Sequence, residues 1–206
     1  YLRPYINLAE KMGSIYYQIR KSPVQRVELT YSGPISRNET QMLTVAFVKG
    51  LLEPVMSEKV TYVNAMLMVE DRDIKVFSKK EEHSPKRYKN LVSAKIFSAD
   101  GVLELAGTLS RARNPLLVEI NGFETESDLE GYVLMVQNED RPRVIGPVAT
   151  MLGDEGINIA SMKVARREKG TTAIMLINVD NKVEDAVLEK MTGLSGVVNK
   201  PQLLKF

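Results

Sequence analysis

The chain contains no cysteine, which removes both a disulfide framework and any thiolate metal site. A reducing compartment fits that absence without following from it. Histidine is almost as scarce: the one copy, His83, lies between Glu82 and Ser84-Pro85 in a polar tract, the setting of a solvated loop residue rather than of a general base. Neither G-x-G-x-x-G nor G-x-x-x-x-G-K-[ST] occurs, so a dinucleotide turn or a phosphate-cradling P-loop has no support. No apolar run approaches the ~20 residues that a membrane span needs, and the first residues lack the basic-then-apolar pattern of a signal peptide. Charge of one sign is missing too. A formal charge of +2 is spread over 206 residues, and the dense cluster Arg166-Arg167-Glu168-Lys169 falls at an expected hairpin tip, so neither nucleic acid nor a membrane is an expected partner. The cytoplasm is the default compartment.

What is present reads as one large or two small domains. Ile6, Leu8, Ala9, Met12, Ile15, Tyr16 and Ile19 recur at helical spacing and predict a helix over 4–20, closed by Ser22-Pro23. Residues 24–31 read as a strand stopped by Ser32-Gly33-Pro34. Helices are expected over 38–52, ended by Pro54, and over 62–71, followed by a strand from Ile74 to Ser78 and a polar loop over 79–89. From Asn90 the period becomes two, predicting a hairpin of 91–97 and 102–109 turned at Asp100-Gly101, a strand over 116–120 and a short extended piece from Phe123. This first domain, 1–130, therefore mixes helices with a largely antiparallel sheet. The polar, glycine-terminated segment 126–131 is the expected boundary.

After Gly131 come a strand (132–136), a helix (142–155), a strand (157–166), a hairpin at Lys169-Gly170, a strand (172–179), a helix (184–191) and a strand (196–204). That βαββαβ order over 131–206 is the ferredoxin-like sandwich. The fold class is α+β. Ile174, Met175, Leu176 and Ile177 are apolar on both parities, so the sheet face away from the helices should be covered as well, by a partner chain or the first domain.

Little here resembles catalytic machinery. Glu70, Asp71 and Asp73 sit among Arg72 and Lys75 as a solvated helix end rather than a metal cluster, and the methionines fill apolar faces. No catalytic residue and no metal ligand is assigned. Arg111-Ala112-Arg113 offers two guanidinium forks to an anion, or an exposed loop pair. Asn64 and Thr108 stand as weaker lining candidates.

The richest segment is Asn138-Glu139-Asp140-Arg141-Pro142 with Gly156-Ile157-Asn158. A helix start leaves amides unpaired and carries the positive end of the peptide dipoles, so a carboxylate is welcome there. Pro142 suits the first helical position. An ionised Asp140 can accept from an ammonium group, and the amides of Asn138 and Asn158, with Asn158 returned beside the helix start, serve either end of a zwitterion. On spacing alone the plainer assignment, Asp140 as a cap and Asn138 as a strand end, is the stronger.

The same strings resemble a known family. Residues 138–148 with 156–162 look like the ACT regulatory domain at the C-terminus of D-3-phosphoglycerate dehydrogenases. Pro4-Tyr5-Ile6-Asn7-Leu8-Ala9, Lys49-Gly50-Leu51-Leu52, Tyr62-Val63-Asn64-Ala65, Ala106-Gly107-Thr108-Leu109 and Ile120-Asn121-Gly122 resemble the intervening domain of the longer form. The resemblance implies a regulatory half that binds L-serine or a similar small amino acid where two ACT domains meet, with Asn138, Asp140 and Asn158 as the gripping side chains, which reverses the balance struck on spacing alone. It implies a homo-oligomer formed through both domains, an anion at the intervening domain, no cofactor in this portion, and NAD in the parent enzyme, whose compartment could also be a plastid or another organelle. One position departs: Arg143 stands where the family has glycine, able to enter the pocket or add a charge for a carboxylate. Two rival expectations are a catalytic pocket around Asn64, Thr108 and Arg111, and an assembly module with a degenerate effector site.

Overall fold

Helix α1 (Arg3–Ile19) buries Tyr5, Leu8, Ala9, Met12, Ile15 and Tyr16, the stripe that the sequence spaces at helical intervals. Facing it, α2 (Gln41–Leu52) approaches backbone to backbone. A Cβ on Gly13 would lie 2.0 Å from the Phe47 carbonyl oxygen, and one on Gly50 would lie 1.9 Å from that of Glu10. Lys49 Nζ closes the same seam with Glu10 at 2.6 Å and Glu53 at 3.0 Å. These contacts belong to a computed structural model that describes residues 1–206 and falls into two compact units, Tyr1–Asn121 and Gly122–Phe206.

In the first unit the helices lie on a sheet of β1 (Val24–Ser32), β2 (Lys75–Glu81), β3 (Leu91–Ser98), β4 (Gly101–Leu109) and β5 (Pro115–Ile120), in the order β2-β1-β3-β4-β5. Pairing is antiparallel except that β1 and β2 run parallel, Glu28 opposite Phe77. The chain between them forms α2 and the short α3 (Ala65–Glu70), the crossover that a parallel pair requires. Parallel pairing also carries β2 on to Glu81, beyond the Ser78 at which the sequence places its end. The two middle helices are shorter than their apolar spacing suggests. Residues 34–37 take a 3-10 turn behind Gly33, and Asn64 closes a turn ahead of α3 by accepting from the Thr61 N–H at 2.7 Å.

The second unit carries β6 (Phe123–Asp128), β7 (Tyr132–Glu139), α4 (Ile145–Asp154), β8 (Ile159–Arg166), β9 (Thr172–Val179), α5 (Asp185–Thr192) and β10 (Gln202–Lys205). From β7 onward this is the βαββαβ order, with strands arranged β10-β7-β9-β8. Leu134 and Val136 of β7 and Met175 and Ile177 of β9 meet Val148 and Leu152 of α4 and Val187, Leu188 and Met191 of α5 in one core. The opposite face is covered from within the unit, by β6 lying against β8 and β9. Ser127 Oγ donates to Asn178 Oδ1 at 3.3 Å, Ser161 Oγ donates to the same oxygen at 3.0 Å, and Asn178 Nδ2 donates to the Asp128 carbonyl at 3.0 Å. Residues 126–128 of the expected boundary segment belong to β6, and the compact units divide at Asn121-Gly122. The last strand is short because Pro201 cannot donate to a ladder. Residues ahead of it still reach β7 through Val198 N–H to the Gln137 carbonyl at 2.9 Å.

Candidate functional site

Alternation along β7 turns Leu134, Val136 and Asn138 to the helix side of the sheet. Asn138 is therefore an amide among apolar neighbours, 2% exposed. Its Nδ2 donates to the Glu139 carbonyl at 2.8 Å, which fixes which way the amide points. Its Oδ1 is buried and has no hydrogen-bond partner. A buried carbonyl oxygen without a donor costs about 1–3 kcal/mol, so this atom is one that an incoming N–H would satisfy.

After Glu139, the last residue of β7, the chain runs through a five-residue bend to α4. Pro142 and Arg143 lie in this bend, and the helix begins at Ile145 rather than at Pro142. The cause is Arg143, held at φ +68, a left-handed conformation that a helix cannot continue. The bend is fastened on both sides. Arg141 pairs with Glu139 and donates through Nη2 to Ser195 Oγ at 2.8 Å. Asp140 Oδ2 accepts from the Gly170 N–H at 2.8 Å and lies 3.4 Å from Arg166 Nη1, tying the bend to the β8–β9 hairpin tip. The Gly170 amide, then the Arg166 guanidinium, hold the Asp140 carboxyl below the ordinary aspartate range. Asp140 is thus an ionised acceptor, one oxygen of which is already committed to the protein.

Asn158 is placed elsewhere. In the sheet Asn138 lies opposite Ala173, whereas Ile159, the residue after Asn158, lies opposite Val179. From Ala173 to Val179 is about 20 Å along β9 at ~3.3 Å per residue. A single chain therefore does not bring Asn158 beside Asn138 and Asp140, contrary to the reading of the second strand as returning it there. The physical reason is register: β7 and β8 both run antiparallel to β9, so the start of β8 sits at the far end of the sheet from the end of β7. At that far end Asn158 Nδ2 donates to Asp180 Oδ2 at 2.7 Å, and the Asp180 N–H bonds back to the Asn158 carbonyl at 3.2 Å. Asp180 holds the Asn158 amide in one orientation, a role that sequence reading missed. Only the β8–β9 register could have revealed it.

The remaining candidates have local employment. Arg113 donates to the Tyr1 carbonyl at 3.0 Å and stacks on that ring, so the two arginines of the β4–β5 turn do not form a joint fork, and Arg111 lies exposed. Thr108 Oγ1 donates to the buried Asn90 carbonyl at 2.6 Å, and Asn64 is spent on its own turn, its Nδ2 donating to the Lys59 carbonyl at 3.1 Å. His83 stands exposed in a loop.

The chain has recognisable relatives. Residues 1–121 match the family model described as the D-3-phosphoglycerate dehydrogenase intervening domain, and residues 132–196 match the ACT domain. Similar proteins include the D-3-phosphoglycerate dehydrogenases of Methanocaldococcus jannaschii, 36% identical over 95% of this chain and 37% of the relative, and of Bacillus subtilis, 36% identical over 96% of this chain and 38% of the relative. A third, D-3-phosphoglycerate dehydrogenase 3, chloroplastic, of Arabidopsis thaliana, is 29% identical over 95% of this chain and 36% of the relative. The chain thus spans little more than a third of the length of these curated relatives.

Proposed function

Since the chain belongs to the D-3-phosphoglycerate dehydrogenase intervening-domain family and carries an ACT domain behind it, we propose that it is the regulatory, oligomer-forming portion of such an enzyme, one that senses a small amino acid of the L-serine type. In this reading the dehydrogenase chemistry and its NAD belong to the parent enzyme, and this portion holds no catalytic group of its own. No helix is long and apolar enough to cross a membrane.

The observation that carries the reading is the separation of Asn138 from Asn158. Strand β8 is the edge of its sheet, with Val164 46% exposed on it. An edge offers unpaired ladder groups to another strand. Two copies paired antiparallel through β8 about Met162 would set the start of one β8 beside the end of the other, where Arg166 shares with Asn138 its level opposite Ala173. Asn158 of a second copy would then face the Asp140 bend, and the amino acid would bridge two chains. Asn138 Oδ1 and the second carboxylate oxygen of Asp140, whose Oδ2 is the one held by Gly170 and Arg166, accept from its ammonium group, while Asn158 and the first amides of α4 receive its carboxylate. A ligand held this way favours the subunit arrangement that completes the site, and shifts the equilibrium only by its difference in affinity for the two arrangements.

Calorimetric titration of the chain with L-serine tests this against Asn138→Ala and Asp140→Ala. Binding that is lost in both supports the reading, and binding unchanged in both refutes it.

A further inference from the structure

The cations around the bend are not equivalent. Arg141 is committed to Glu139 and Ser195, Arg166 faces Asp140, and Arg167 stacks on the Phe123 ring with its guanidinium carbon 4.8 Å from the centroid. Arg143 makes no ion pair and no hydrogen bond, lies exposed, and sits two residues before the first turn of α4. That turn is open, since a Cβ on Gly146 would meet nothing within 4 Å. The buried, unpartnered Oδ1 of Asn138 marks the same bend as a place where a ligand donor is wanted. Across 139–143 and 166–169 there are five cationic side chains against three carboxylates. Two of those carboxylates, Glu139 and Asp140, already face Arg141 and Arg166. An entering anion therefore meets a surplus of positive charge.

From this we infer that the amino acid recognised here is an L-α-amino acid with a second acidic group on its side chain, and that Arg143 is the receptor for that group; the inference rests on the amino-acid site proposed above. The α-ammonium and α-carboxylate groups of the ligand use Asn138 Oδ1, the second Asp140 oxygen, the α4 amides and Asn158. A neutral side chain then leaves the Arg143 guanidinium unpaired. A carboxylate or phosphate gives it a charge-assisted, forked hydrogen bond, the strongest polar contact available at this surface. Lys169, one residue from the Gly170 amide that holds Asp140, adds to the field without a fixed partner.

The experiment is calorimetric titration of the full 206-residue chain with L-serine, L-aspartate and O-phospho-L-serine, repeated on Arg143→Gly and Arg143→Glu. Glycine adopts the left-handed φ of residue 143 freely, so Arg143→Gly does not threaten the fold. The expected result is binding of at least one acidic amino acid about tenfold or more tighter than L-serine, with the preference abolished in Arg143→Gly and reversed in Arg143→Glu. The aspartate and phosphoserine arms separate a carboxylate from a phosphate as the second group. If L-serine binds as tightly as both acidic ligands, or if the preference survives Arg143→Gly, the Arg143 inference is overturned and the amino-acid site stands. If none of the three binds, both fall.

Discussion

Two deeply buried asparagine amides, Asn90 in the first unit and Asn138 in the second, differ in how fully they are paired. Asn90, 7% exposed, lies at the start of β3 in the first unit. Its Oδ1 accepts from the Ile35 N–H at 2.7 Å, its Nδ2 donates to the Tyr5 hydroxyl at 2.8 Å, and its carbonyl receives Thr108. Asn138 in the second unit is more deeply buried and has only the bond from Nδ2, its oxygen left without a donor. A saturated amide is architecture: it pins α1, the 3-10 turn and two strands together. An unsaturated one weakens the protein alone and strengthens a complex, since the first donor to arrive recovers the cost of its desolvation. At these two positions the first unit holds a closed set of hydrogen bonds, and the second holds an acceptor still open to a donor.

The comparison breaks most severely where the scaffold has no slack. Gly50→Ala forces a methyl into the Glu10 carbonyl, and we expect a loss of about 3 kcal/mol, at the upper end for overpacking, read from denaturant unfolding. Asn90→Ala should cost about 2 kcal/mol, because it orphans the Ile35 N–H and the Tyr5 hydroxyl together. Asn138→Ala should move stability by less than about 1 kcal/mol, since the Glu139 carbonyl still receives the Arg141 N–H at 3.0 Å, while amino-acid binding disappears. Equal stability losses at the two asparagines would erase the distinction. Arg143→Gly should stabilise by about 1 kcal/mol through release of the left-handed backbone, seen as a higher unfolding midpoint.

The smallest expected effect concerns pH. Asp140 has its carboxyl lowered chiefly by the Gly170 amide. A group whose folded value is depressed contributes stability that is fully present above its unfolded value, about 3.9 for aspartate, and that is lost as pH falls through the lowered folded value. The hairpin tip should therefore loosen only below about pH 4, reported by faster exchange of the Gly170 amide, and Asp140→Ala should show that faster exchange at neutral pH.

Elements whose cause is local were legible in the sequence. The α1 stripe, the 91–109 hairpin and the βαββαβ order follow from apolar spacing and turn residues, and the match to an ACT domain agrees with the last of these. What escaped depends on pairing. Beyond Phe123, strand β6 turns Thr125 and Ser127 inward rather than large apolar side chains, so its second half resembles a polar boundary segment. The parallel partnership of β1 and β2 is set by the crossover, not by either strand. At the candidate site, Asn138 and Asp140 were identifiable as neighbours in sequence, but the unpartnered oxygen of one and the Gly170 bond of the other are tertiary facts. The distance to Asn158 is fixed by two strand registers, and the left-handed Arg143 is visible only in the backbone.

The central claim is that one amino-acid site takes Asn138 from one chain and Asn158 from another, and a mixing experiment addresses it directly. Asn138→Ala and Asn158→Ala are each expected to abolish calorimetric binding. After the two variants are unfolded together and refolded as an equimolar mixture, half of the dimers carry one intact site, and the account predicts recovery of about a quarter of the wild-type sites at wild-type affinity. No recovery from a mixture shown to contain heterodimers, or full binding by either variant alone, would contradict it.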